Sequence, residues 1–195
     1  VDNSPIKKML NEYVTQEQLT KGIPLFVSVF PSRTLLESII GCSLARLGIK
    51  DSPESEFLHI QSLSWEEQQK ALLASSAIPF LLQAQEIGGE RYSDGGQGGL
   101  FNSQGNTPLA PLLENSCNRI IVTSLSDHSA WSKQEYPDAD IIPIIRKYPI
   151  NRNILIPEVL DVLCFQPDKI YSWIDQGYND TLRCIKPLLA ELDSE

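Results

Sequence analysis

The strongest constraint on this chain is an alternation along its length. Short runs rich in Val, Ile and Phe, too short for a helix, take turns with longer stretches whose apolar residues recur at helical spacing. From Pro5 to about Val14, the residues Ile6, Met9, Leu10, Tyr13 and Val14 form one stripe of an amphipathic helix turned toward a core. Ile23 to Phe30, bounded by Gly22 and Pro31, reads as a buried strand. Ser32 can cap a second helix, with Leu35, Leu36, Ile39, Ile40, Leu44 and Leu47 on one face and Gly48 as its left-handed end. Phe57 to Leu63 reads as a strand, and Ser64-Trp65-Glu66-Glu67 then has the form in which a serine and a glutamate satisfy each other's amides at a helix start. That helix runs through Leu73.

Residues 80 to 93 suit a hairpin around Gly88-Gly89 that delivers Tyr92, Ser93 and Asp94 at a strand end. A glycine-rich loop, Gly95 to Gly105, follows, and Thr107-Pro108 opens another helix. Arg119 to Leu125 has the continuous apolar character of a strand buried on both faces. Ile141 to Ile145 is similar, but Pro143 cannot donate to a ladder and places it near a sheet edge. From about Pro157 the pattern is helical, with Gly177 as a break between two helices. Strands alternating with helices predict an α/β fold with a mostly parallel sheet flanked by helices.

The chain has 195 residues, 42% of them hydrophobic and 21% charged, enough for one soluble domain with a substantial core. Its 25 acidic residues against 16 basic ones give a net charge of -9, with no Lys/Arg run to follow a phosphate backbone, so no nucleic-acid partner is expected. No apolar stretch reaches bilayer-spanning length, and VDNSPIKKML lacks the layout of a secretory signal, which favours a cytoplasmic location. A start at Val1 without methionine suggests a cut from a longer protein. Cys42, Cys117, Cys164 and Cys184 lie far apart and read as buried free thiols. His59 and His128 are the only histidines, leaving little material for a metal site or a histidine-based triad. No cofactor and no metal are called for.

The segments that carry chemistry are Ala74-Ser75-Ser76-Ala77-Ile78-Pro79, then Glu90-Arg91-Tyr92-Ser93-Asp94-Gly95-Gly96, then Asn106-Thr107-Pro108-Leu109. In type and order they resemble the patatin-like phospholipase family, and the remainder of the chain, from the opening helix through Gly177-Tyr178, resembles it only in the order of elements. The resemblance implies a patatin-like α/β domain of which residues 1–195 are the carboxy-terminal part, incomplete on the amino-terminal side. It implies a lipid acyl hydrolase, a phospholipase or carboxylic ester hydrolase, in which a serine in a G-x-S-x-G turn attacks the ester and an aspartate alone serves as base. Asp94 matches that aspartate, and Gly95 and Gly96 match its glycine turn.

The chemistry needs a particular setting. A serine hydroxyl is a weak nucleophile until a neighbour takes its proton, and a carboxylate with an ordinary pKa of about 3.9 is a poor base. Partial desolvation raises that pKa and makes proton capture less uphill. The flanking glycines allow unusual backbone angles and close approach of another segment. Against this stands the commonest job of Asp before Gly, hydrogen-bonding its own turn amides.

No G-x-S-x-G and no glycine-rich oxyanion segment occur in these 195 residues, and both are expected upstream of Val1. Gly41-Cys42-Ser43-Leu44-Ala45 imitates an elbow but lies inside a helical pattern, where Ser43 is better read as a small contact residue. Ser75 and Ser76 have no elbow pattern around them. Gln97 to Gly105 is longer than the short connection the family implies. Its Leu100-Phe101 pair could cover an acyl pocket or dip transiently into a membrane interface, or fold back on the core. His59 reads as a structural residue in a strand, His128 as part of a polar loop, and Trp65, Trp131 and Trp173 as packing residues.

Two functional readings follow. In the first, the complete protein is a serine-aspartate dyad esterase acting in lipid degradation, its partners being a lipid or ester substrate and the missing amino-terminal segment, and this chain alone is inactive. In the second, the chain is a non-catalytic interaction or regulatory module that retains the scaffold. A sheet cut in this way exposes an edge and apolar surface, so self-association is a further expectation.

Overall fold

The computed structural model describes residues 3–32, 48–79, 81–99, 101, 104–123, 136–147 and 167–192. The chain divides into two units, Val1–Ser116 and Cys117–Glu195.

In the first unit, helix α1 (Ser4–Tyr13) carries a proline in its first turn and ends where the Val14 amide donates to the Leu10 carbonyl. The stripe expected on it is only partly covered: Ile6, Leu10 and Val14 are half-buried, whereas Met9 and Tyr13 are exposed. A short helix that the periodicity did not suggest, α2 (Gln16–Lys21), is closed by a capping box between Thr15 and Gln18. Strand β1 (Phe26–Pro31) takes up the second half of the predicted apolar run and extends one residue past it, to Pro31. Strand β2 (Glu56–His59) is shorter than predicted, because the chain turns into a single 3-10 turn at Ile60–Ser62. Helix α3 (Trp65–Ser75) begins as its sequence signature requires: Ser64 Oγ accepts from the Glu67 amide and the Glu67 carboxylate accepts from the Ser64 amide.

Strands β3 (Gln85–Ile87) and β4 (Glu90–Asp94) form the predicted hairpin. Gly88 and Gly89 both have positive φ, +59° and +88°, which a two-residue turn matched to strand twist demands. The sheet order is β2-β1-β4-β3, and each of its pairings is antiparallel. The expected mostly parallel sheet is therefore corrected for this unit, although the chain remains α/β in class. Alternation along a sequence reveals which segments are extended but not which become neighbours. The two-residue turn forces β3 and β4 antiparallel, and β1 takes its place between β2 and β4 with Val29 opposite both Glu56 and Asp94.

One face of this sheet is the core. Val27, Val29, Ile60, Ala71, Ala74, Ile87 and Tyr92 form one buried cluster, with Ala71 and Ala74 letting α3 approach closely. Each fully buried aliphatic side chain such as Val29 or Ile60 contributes on the order of 1.5–3 kcal/mol. After β4 the chain makes 3-10 turns at Gly95–Gln97 and Gln104–Asn106, then helix α4 (Ala110–Glu114), which starts slightly later than Thr107-Pro108 suggested.

In the second unit, β5 (Arg119–Thr123) and β6 (Asp140–Ile144) pair in parallel, Val122 opposite Pro143. Among the described residues this sheet has two strands, which leaves β6 at an edge, as Pro143 suggested; the prediction that β5 is buried on both faces is corrected, since Ile120 is buried while Ile121 is 54% exposed. Helix α5 (Pro167–Leu192) runs unbroken through Gly177, correcting the predicted break. The i to i-4 bonds form through a glycine when the flanking residues favour helix, and a lone glycine weakens a helix without ending it. Asp180 accepts from the Lys147 amide at 3.1 Å, and Arg183 donates to both Asp180 and the Ile145 carbonyl, so the helix is fastened to the end of β6.

Candidate active site

Asp94 is the last residue of β4, opposite Val29 on β1. Its own amide donates to the Ala77 carbonyl at 3.1 Å, so the Ala74–Pro79 segment and the Asp-Gly-Gly turn are joined by a direct backbone bond. Carboxylate oxygen Oδ1 accepts from the Gly96 amide at 2.7 Å, as an aspartate before a glycine turn commonly does. No second hydrogen bond to this carboxylate occurs among the described residues. Burial pushes the Asp94 carboxyl above its ordinary value, and the Gly96 amide opposes this only in part.

The turn after Asp94 is packed from several sides. A Cβ on Gly95 would lie 2.1 Å from Ser28 Oγ, and one on Gly105 would lie 1.8 Å from the Gly95 carbonyl oxygen. A Cβ on Gly96 would meet the Asn106 carboxamide at 2.5 Å and Asp94 Oδ1 at 3.0 Å, so the Asn106-Thr107-Pro108 segment closes over the same turn. Gln97 donates to Ser93 Oγ at 2.7 Å and to the Asp94 carbonyl at 2.9 Å. The close approach that Gly95 and Gly96 were expected to allow is present, and Gly105 makes a further one.

The segment before β2 supplies a strap across this loop. Ser55 Oγ donates to the Gly95 carbonyl. Its main-chain amide donates to Gln104 Oε1 at 2.8 Å, and Gln104 Nε2 returns a bond to the Ser55 carbonyl at 2.9 Å. The Gly99 amide donates to Pro53, and the Phe101 amide to Asp51 Oδ1 at 3.2 Å. Next along the strap, Glu56 accepts from the Tyr92 hydroxyl at 2.9 Å; burial first, then this bond, pushes the phenol up to about 12.

Of the other sequence candidates, Ser76 ends α3 and its hydroxyl turns back to the Leu73 carbonyl at 3.1 Å, while Ser75 is the last helical residue. Ser43 with its imitation elbow, Leu100, His128 and Trp131 lie outside the described residues. Phe101 is 59% exposed and does not fold back on the core. His59 stacks on Phe26 with ring centroids 4.7 Å apart, a packing role. Trp65 is half-buried, whereas Trp173 is exposed rather than packed. Cys117 is exposed and Cys184 half-buried, so neither is the buried thiol expected; Cys42 and Cys164 lie outside the described residues. Among the described residues no group of His, Cys, Asp or Glu is placed to hold a metal ion, and no helix is long and apolar enough to cross a membrane.

Sequence reasoning missed Ser55, Gln97 and Gln104. The readable signal was the spacing of Gly95, Gly96, Gly98 and Gly105, which marks close approach, but nothing in the sequence named the residues that approach. No family model, curated protein or solved structure matches this chain.

Proposed function

We propose that this chain is the carboxy-terminal portion of a patatin-like lipid acyl hydrolase, with Asp94 as the general base of a serine-aspartate dyad. The nucleophilic serine is supplied by sequence outside residues 1–195. The observation that carries the reading is the state of Asp94: one carboxylate oxygen is held by the Gly96 amide, and burial raises the carboxyl toward the range of a useful base. The three motif segments meeting around it, through the Ala77–Asp94 bond and the Asn106–Gly96 contact, support the same reading. It rests on this site and not on the direction of the sheet.

In the reaction, Asp94 accepts the serine proton as the hydroxyl attacks an ester carbonyl, giving an acyl-serine intermediate, and returns the proton to the leaving alcohol. Water then releases the acyl group by the same route in reverse. Phe101, exposed on the loop tethered beside Asp94, is suited to contact with a lipid interface, with Leu100 as its sequence neighbour.

A fluorophosphonate probe, which reacts with an activated serine, tests the proposal. Labelling is expected for the full-length protein and is expected to disappear with Asp94→Asn, while the 195-residue chain stays unlabelled. Undiminished labelling of the Asp94→Asn protein, or strong labelling of the 195-residue chain, overturns the assignment.

A further inference from the structure

The Gly95 carbonyl and the Gly96 amide belong to one planar peptide unit and point in opposite directions within its plane. Asp94 Oδ1 accepts from the amide edge of that unit and Ser55 Oγ donates to its carbonyl edge. The Gly98 amide also reaches the Gly95 carbonyl, at 3.1 Å, but it comes from the same 3-10 turn and rotates with it. Ser55 is the donor that comes from another element, the strap leading into β2.

The fit around this hydroxyl is specific. Ser55 is buried, and a Cβ on Gly98 would lie 2.2 Å from its Oγ and one on Gly105 2.8 Å, so glycines wall a slot that a hydroxyl fills. The backbone of Ser55 is itself bracketed by both ends of the Gln104 carboxamide. We propose that Ser55 is a positioning residue for Asp94, holding the Gly95–Gly96 peptide plane so that its amide fixes the carboxylate with Oδ2 directed to the reacting hydroxyl. The proposal rests on Asp94 being the base.

Donation to the carbonyl also polarises the peptide and strengthens its amide as a donor. The titratable groups on the same sheet face are Tyr92 and Glu56, bonded to each other, and the exposed Glu90; Lys70 is on the helix packed over that face and is paired with Glu66. None of them contributes to the shift of Asp94, which burial and the Gly96 amide account for.

Steady-state hydrolysis of a short-chain nitrophenyl ester by the full-length protein tests the proposal. Ser55→Ala is expected to lower kcat by about tenfold to a hundredfold with KM changed less than about twofold, because orientation of the base is lost while substrate binding is not. Gln104→Ala, a gentler loosening of the strap, is expected to act in the same direction with a smaller fall. In the 195-residue chain, the Asp94 carboxyl carbon resonance, assigned through its loss in Asp94→Asn, is expected to titrate at higher pH with Ser55→Ala, and with Gln104→Ala if the first variant does not fold. A kcat within about twofold of the parent, or an unmoved titration, overturns the positioning role. Retained probe labelling by Asp94→Asn overturns the dyad and with it the catalytic use of Ser55, an outcome distinct from an unmoved titration, which is read without any reaction.

Discussion

At the scale of the residue, the role proposed for Asp94 conflicts with stability. Its carboxyl is raised by burial, so the folded chain holds the proton more tightly than the unfolded one. Between the unfolded pKa, about 3.9, and the higher folded value the native state binds more protons, and stability falls as pH rises through that window. Above it the full penalty is present; below it there is none. Asp94→Asn keeps a side-chain oxygen for the Gly96 amide and removes the charge. The variant is therefore expected to have a higher urea midpoint than the parent chain at pH 7, with the difference vanishing near pH 3. A lower midpoint at pH 7 would show that the carboxylate stabilises the turn instead. Asp94 was legible as the candidate because its own segment and the two that flank it follow one another in sequence. Ser55 and Gln104 were not, because a polar side chain in a turn segment carries no mark of which distant carbonyl it will reach.

At the scale of the element, local signals were read well where one residue's backbone requirement decides the outcome. Gly88-Gly89 specified the β3–β4 turn through positive φ, and Ser64 with Glu67 specified the start of α3. The pattern failed where a lone residue was taken as decisive. Gly177 lies inside α5 with nothing within 4 Å of a Cβ placed on it. Gly177→Ala is accordingly expected to stabilise the helix by about 0.5–1 kcal/mol, read as a higher urea midpoint with an unchanged slope. A loss of stability there would mean that the glycine serves a contact. Pairing direction was the other failure: β1 and β2 are clear strands by composition, but neither their apolar content nor their length tells a parallel neighbour from an antiparallel one.

At the scale of the whole molecule, the proposed hydrolase activity also needs a surface that meets a lipid interface. Phe101 exposes an apolar ring on a loop whose backbone is tied to Asp51 and Pro53, so the ring is presented from a fixed base. Changing Leu100 and Phe101 together to Ser in the full-length protein is expected to lower hydrolysis of micellar esters severalfold while leaving dispersed monomeric esters nearly unchanged. Equal rates on both forms would remove the interfacial role. Composition and periodicity alone determined that this acidic chain is an α/β protein, and motif order singled out one aspartate among its 25 acidic residues, because those properties reside in neighbouring residues along the chain. Only the tertiary structure decided that the sheet holding Asp94 is antiparallel, that its glycine loop is packed rather than loose, and that Ser55 grips the peptide next to the carboxylate. Each of those depends on contacts between residues distant in sequence, whose free energy is set by which surfaces come to share a core.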